Sequence, residues 1–343
     1  MSTSPYRYEF QPYAGSSSRA TCPACGTARS FTRYVDTHTG ELLPDRFGRC
    51  DRLVKCGHFR PPYGSIDGLR TQRHHYTGVG FKQLSVALAP TQRLLALPQK
   101  VCQASLRHYE RNQLARLLRD HFGATTATEL CTRFRLGTSD HWSGACVFWL
   151  LDTQEQVLGG QVVLYDETGH TVKQPHRHTT WPHIALARAY RQRGEAQPAW
   201  LTEYATYGQK SPCLFGLPQL ATEAADKPIA LVESAKTAIV ATPYLPEFVW
   251  LATMGLSYLT AERLAPLLGR RITLFPDAGA LEQWQRKATS LRAKGFNIAV
   301  SDTVERLATL AERKAGLDLA DVLLAGQYHR PDLIDTSVQV LAG

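Results

Sequence analysis

Four cysteines, Cys22, Cys25, Cys50 and Cys56, fall within one short stretch near the N-terminus. Cys22 and Cys25 form a C-x2-C pair whose thiolates can turn toward one ion, whereas Cys50 and Cys56 are spaced C-x5-C, wider than the usual knuckle. The chain opens MSTSPYRYEF, without the apolar run of a secretory signal, so its thiols are expected to be reduced and to hold zinc rather than to pair as disulfides. His58 is an alternative fourth ligand. Cys102, Cys131, Cys146 and Cys213 stand alone in apolar or helical surroundings and read as small buried hydrophobes.

A second group of chemistry-bearing residues lies in the last third. Glu233 follows the apolar run IALV directly, and Asp277 follows ITLFP. Ligands of α/β sheets bind outside the carboxyl ends of the strands, so both carboxylates are expected in one crevice. Asp318 and Asp321, in LDLADVLL, open a helical segment that would add further carboxylates. Such a cluster suits Mg2+ or Mn2+, which want hard oxygen ligands. Each carboxylate alone reads as a solvated or helix-N-terminal charge, and only their joint placement makes a site. Lys236, one helical turn past Glu233, is placed to neutralise a phosphate. His176, His178 and His183, in KQPHRHTTWPH, lack a regular ligand spacing; the run reads as a basic loop touching phosphate through Lys173 and Arg177.

The net charge of +9 is concentrated: ten Lys or Arg against five Asp or Glu lie between Arg19 and Arg73. Positive charge gathered on one module suits a polyanion, because neutralised phosphates release their counterions. There Arg33, Arg49 and Arg52 alternate with Phe31, Tyr34 and Phe47, a mixture that can hold phosphates and stack bases, although the same aromatics would also fill a small core. The longest apolar run, Ala145 to Leu151, is too short to cross a bilayer, so a cytoplasmic protein without a membrane partner is expected.

These residues need elements to position them. Residues 1–19 read as a polar arm, 20–63 as the zinc-binding module and 64–99, rich in Pro, Gly and His, as a linker or covering segment. A mixed α+β domain is expected over 100–217. Its predicted elements are a helix over Ser105 to Phe122 stopped by Gly123, a second helix opened by a Thr126/Glu129 capping box and ending near Arg135, and strands over Ala145 to Leu151 and Val157 to Tyr165. Over 218–330, apolar strands Ile229 to Val232, Phe248 to Ala252, Ile272 to Phe275 and Phe296 to Val300 alternate with helices after Ser234, Thr260, Gly279 and Thr303. Continuous apolar strands alternating with helices predict a doubly wound, mainly parallel sheet. Residues 331–343 read as a tail. The fold class is α/β.

ALVESAKTA resembles the first motif of Toprim domains, a strand ending in glutamate with a helix behind it, and RRITLFPDAG resembles the strand carrying their Asp-x-Asp pair. Phe134-Arg135-Leu136-Gly137 is similar to the F-x-L-G element of primases, and Val157 to Gly160 to the glycine-bearing strand turn of their basal domain. Lys210, with Leu214-Phe215-Gly216-Leu217 after it, resembles the K-x3-L-Y-G-L element. From about residue 20 to 325 the chain thus resembles bacterial DNA primases of the Toprim class, with a zinc ribbon, a basal domain and a Toprim domain in that order. RCDRLVKCGH with FTRYVDTHTGELLPDRFG also resembles an uncharacterised Toprim-containing family associated with bacterial mobile elements.

The resemblance implies single-stranded DNA or RNA as partner, nucleoside triphosphates as substrates if the site is active, and a replication protein as a further partner. It assigns catalysis to Glu233 and Asp277 with Mg2+ or Mn2+, and a phosphate-binding role to Lys210. No segment for docking a helicase is expected after the Toprim region. One departure stands out: Asp277-Ala278-Gly279 keeps a single aspartate of the pair, and Glu282 or Asp302 are the candidates to replace the other. Two main readings follow: a protein that makes short primers, and a decayed Toprim crevice that only binds nucleic acid or nucleotide. A Toprim nuclease ranks third, since no tyrosine is identifiable as a strand-cleaving nucleophile.

Overall fold

The computed structural model describes residues 7–52, 56, 58–62 and 92–326. The 331–343 tail, the start of the arm and most of the 64–99 segment lie outside the described residues. The chain forms two compact units, one up to Thr91 and one from Gln92 onward.

The N-terminal unit is an antiparallel sheet of β1 (Tyr8–Phe10), β2 (Phe31–Asp36), β3 (Gly48–Cys50) and β4 (Phe59–Arg60), in that order. Its buried apolar cluster consists of Cys22, Phe31 and Cys50, with Ala20 and Cys56 against them. Among the described residues this core is small, and a metal crosslink between the thiols would add to what burial supplies. Gly48 is needed there, because a Cβ would meet the Phe31 ring at 2.4 Å. Phe31 and Tyr34 are buried and fill this unit, so of the two roles open to the aromatics they take the core one.

The C-terminal unit holds two sheets. The first is antiparallel, in the order β5 (Leu136–Ser139), β6 (Ala145–Leu151), β7 (Val157–Val163) and β8 (Thr179–Thr180). Strand β6 is buried along its whole length because both its faces are covered. Cys146, Phe148 and Leu150 join the main core, and Ala145, Val147, Trp149 and Leu151 a second one, as the two-residue period of a strand requires. Gly160 lies inside β7 rather than at a turn, where a Cβ would meet the Phe148 carbonyl at 2.7 Å.

The second sheet is parallel throughout, in the order β10 (Val249–Ala252), β9 (Ile229–Val232), β11 (Arg271–Leu274) and β12 (Asn297–Val300). Every residue of β9 and β10 is buried, as expected of strands with helices on both faces. The two sheets share one hydrophobic core, in which Phe215 stacks on Phe134 at 5.5 Å and contacts Phe148 at 5.6 Å.

Two helix expectations need correction. Ser105 to Phe122 is not one helix: Gln99–Ser105 ends, His108 turns left-handed, and a new helix, Gln113–Phe122, begins at Asn112. Buried Asn112 accepts a hydrogen bond from the Ala115 N–H and donates to the Gly137 carbonyl, so a side-chain cap interrupts a periodicity that continues across the break. The next helix, Ala124–Arg133, starts immediately behind Gly123, which puts Thr126 inside its first turn and not at its cap.

Candidate functional site

In the N-terminal unit the Sγ atoms of Cys22, Cys25, Cys50 and Cys56 all lie within 4.8 Å of one another. Cys22 and Cys56 are 3.7 Å apart, and Cys25 and Cys50 3.9 Å. Four sulfurs at ~2.3 Å from a tetrahedral zinc would be ~3.8 Å apart, so the thiols fit Zn2+. The knuckle turn is closed by Gly26 N–H donating to the Cys22 carbonyl, with Gly26 at φ +67°. Hydrogen bonds to Thr27 lower the exposed Cys25 thiol to about 6. Cys56 receives a backbone hydrogen bond from His58, yet burial and its three neighbouring thiols push it up to about 12. His58 is not a member of the cluster: its ring packs 5.4 Å from Phe31, and its Nε2 is buried without a partner.

The basic residues of this unit differ in what holds them. Arg33 donates to the Leu43 carbonyl at 3.0 and 2.6 Å and pairs with Asp45, so it braces a loop. Arg52 donates to Thr27 Oγ1. Arg49 is exposed, with its guanidinium 5.1 Å from the Phe10 ring, and Phe59, opposite it in the sheet, is 50% exposed. Phe10 and Phe59 were not singled out in the sequence, since isolated aromatics carry no spacing signal.

In the C-terminal unit, Glu233 sits at the end of β9 and Asp277 just past the end of its neighbour β11. Burial raises the Glu233 carboxyl, against the pull of the Leu256 N–H and Arg177. Asp277 is pushed up to about 8, by burial first and then by the charges of Asp318, Glu233 and Asp321. The charges of Asp318, Glu233 and Asp321 thus reach Asp277, though among the described residues these carboxylates do not gather as closely as the ribbon thiols. Asp318 and Asp321 form a reciprocal capping box on the helix Leu319–Leu324. Lys236 is 4% exposed and lies 3.0 Å from Asp321 and 3.3 Å from Asp318. This corrects the phosphate role expected of it: its charge is spent inside the protein on two carboxylates.

Other candidates are placed elsewhere. Lys210 is exposed beside His183, whose imidazole is lowered to about 4 by burial and by that lysine. No described contact joins Lys210 to the carboxylates. Glu282 and Asp302 pair on the surface with Arg286 and Arg306 of their own helices. The carboxylate that does reach the Asp277 turn is Glu305, whose Oε2 accepts the Gly279 N–H at 2.6 Å. Of the three histidines, His183 packs against Tyr204, while His176 stacks on His178. The β7–β8 connection overhangs the crevice: His170 Nε2 is 3.6 Å from Asp321, the Tyr165 hydroxyl hydrogen-bonds Ser234, and Arg177 favours ionised Glu233. Exposed Lys173 lies on the same connection.

Residues 6–68 match a family described as a zinc beta-ribbon finger, and residues 112–278 a domain of unknown function, DUF6371. No curated protein matches the chain. Among solved structures it is similar to the primase fragment of the bacteriophage T7 primase-helicase protein, at 13% identity and a TM-score of 0.37 over 91% of this chain and 96% of that one. It is similar to the E. coli primase catalytic core at 14% identity and 0.39, over 66% and 82%. The RNA polymerase domain of Mycobacterium tuberculosis primase, in complex with a DNA oligomer with an overhang, gives 12% and 0.37 over 68% and 81%. Among the described residues no helix is long and apolar enough to cross a membrane.

Proposed function

We infer that the chain is a primase-like protein that binds single-stranded nucleic acid and joins nucleotides at a Toprim-like crevice. One observation supports the reading: Glu233 and Asp277 follow neighbouring strands of a parallel sheet, and the charges of Asp318, Glu233 and Asp321 act on Asp277. The donor set is all hard oxygen, which suits Mg2+ or Mn2+. Lys236 answers Asp318 and Asp321, and Arg177 lies toward Glu233, but no cationic nitrogen pairs directly with Asp277 among the described residues. After burial, the neighbouring negative charges raise the Asp277 pKa, and a divalent cation would relieve that part. Bound there by Glu233 and Asp277, such an ion would supply neutralisation of triphosphate charge. Arg177 and Lys173 would meet phosphates from the β7–β8 side, and the ribbon, through Arg49, would hold the strand. Lys210, near His183, would contact phosphate away from the carboxylates.

The test is template-dependent incorporation of labelled nucleoside triphosphates with Mg2+ or Mn2+, in the parent and in Glu233→Ala. Product from the parent alone supports the reading; equal product from both removes Glu233 from the mechanism.

A second reading, a binding module without catalysis, is favoured by the Asp277 turn itself. Gly279 occupies the place of a second aspartate, and Glu305 is already engaged by its N–H and by Arg313. Salt-sensitive binding to single strands with no product would support it.

A further inference from the structure

We propose that His176 and His178 form a stacking platform for a nucleobase of single-stranded nucleic acid, beside the carboxylate crevice; this rests on the nucleic-acid reading above. The two imidazoles lie nearly parallel, with centroids 4.8 Å apart and planes 11° apart. His178 is the inner ring. It meets Trp142 edge-on at 5.0 Å, and Trp142 packs against the second core. Its backbone is tied in as well, the N–H donating to the Val172 carbonyl and the carbonyl accepting from the Leu164 N–H. His176 is the outer ring and is exposed; among the described residues His178 is its one ring contact.

The segment turns tightly at this point, the Thr179 N–H donating to the Arg177 carbonyl at 3.0 Å. His176 and His178 stack on one another, and Arg177, between them in sequence, acts on Glu233 and Tyr165. One short segment therefore offers a flat ring to a base and a guanidinium to the crevice. The exposed ring is not used for packing, and its charged neighbours Lys173 and Arg177 are cations, which suit a polyanion. Base stacking on such a plane is tolerant of sequence and contributes about 1–3 kcal/mol per base. Metal binding does not account for the pair: among the described residues neither His176 nor His178 belongs to a group of three or more gathered ligand side chains.

The experiment uses the full chain and a single-stranded oligonucleotide carrying one 2-aminopurine, whose fluorescence is quenched by stacking. Affinity is read by anisotropy across a salt series. His176→Ala should abolish the quench and weaken binding about tenfold with an unchanged salt slope, and His176→Phe should retain both quench and affinity. Binding and quenching by His176→Ala equal to the parent's would overturn the platform while leaving the nucleic-acid reading intact. An equal loss in His176→Phe would also overturn it, because the plane would then not be what binds. Failure of the parent to bind single strands would overturn both.

Discussion

The Nζ of Lys236 lies 3.0 Å from Oδ1 of Asp321, 85 residues away in sequence, and 3.3 Å from Oδ2 of Asp318, joining the helix behind β9 to the capping box of another helix. Burial disfavours its charge, but the two carboxylates together outweigh that and raise its pKa. Replacing it should strand two carboxylates beside Asp277. Lys236→Met is expected to cost about 3–5 kcal/mol in urea unfolding at neutral pH, with recovery when Asp318 and Asp321 become asparagine as well. An unchanged midpoint for the single variant would show that the pair holds nothing together.

Asp277 and Glu233 set a pH dependence of definite sign. Both have folded pKa values above those of the unfolded chain, and Asp277 reaches about 8 from an ordinary value of 3.8. The folded protein then binds the extra proton, so metal-free stability should be greatest below the unfolded carboxyl pKa. It should fall as pH rises from about 4 to 8, by at most about 1.4 kcal/mol per pH unit for one proton. Asp277→Asn should flatten this slope in chemical denaturation between those limits; a parent protein whose stability is level or rises across the window contradicts the assignment.

Zinc should be present at one ion per chain by mass spectrometry. Cys22→Ser or Cys50→Ser is expected to lose it and to unfold the N-terminal unit, since the buried apolar cluster among the described residues is itself built from Cys22, Phe31 and Cys50. Cys213→Ser, in the buried core of the other unit, should keep full zinc content.

Glu305 and Gly279 bear on the missing aspartate. Gly279 has φ +80°, and a Cβ there would meet the Arg313 carbonyl at 3.3 Å. Writing the pair back as Gly279→Asp should therefore destabilise the protein, by about 1–2 kcal/mol, rather than restore a site. Glu305→Ala should loosen the same turn, by about 1 kcal/mol for the lost hydrogen bond. Both are read from thermal melting, and a stabilised Gly279→Asp would contradict the left-handed turn.

Much of the fold was legible because apolar runs are local signals. IALV and ACVFWLL are strands β9 and β6 with the expected ends, and the carboxylate directly after β9 lies where strand polarity places it. The misread positions depend on partners distant in sequence. Nothing near Lys236 announces Asp318 and Asp321, and nothing near Arg33 announces the Leu43 carbonyl ten residues on. Glu305 reaches Gly279 across 26 residues. The break at Asn112 was hidden for another reason: the apolar period happens to stay in phase across it, while the polar residue that decides is buried and satisfied by β5.

The central claim, that Glu233 and Asp277 form one cation site, is tested most directly by titrating the zinc-loaded full chain with Mn2+ and following free ion by electron paramagnetic resonance. The account predicts a saturable site in the parent that strengthens as pH rises toward 8 and is lost in both Glu233→Gln and Asp277→Asn. Mn2+ binding that is indifferent to both substitutions would contradict it.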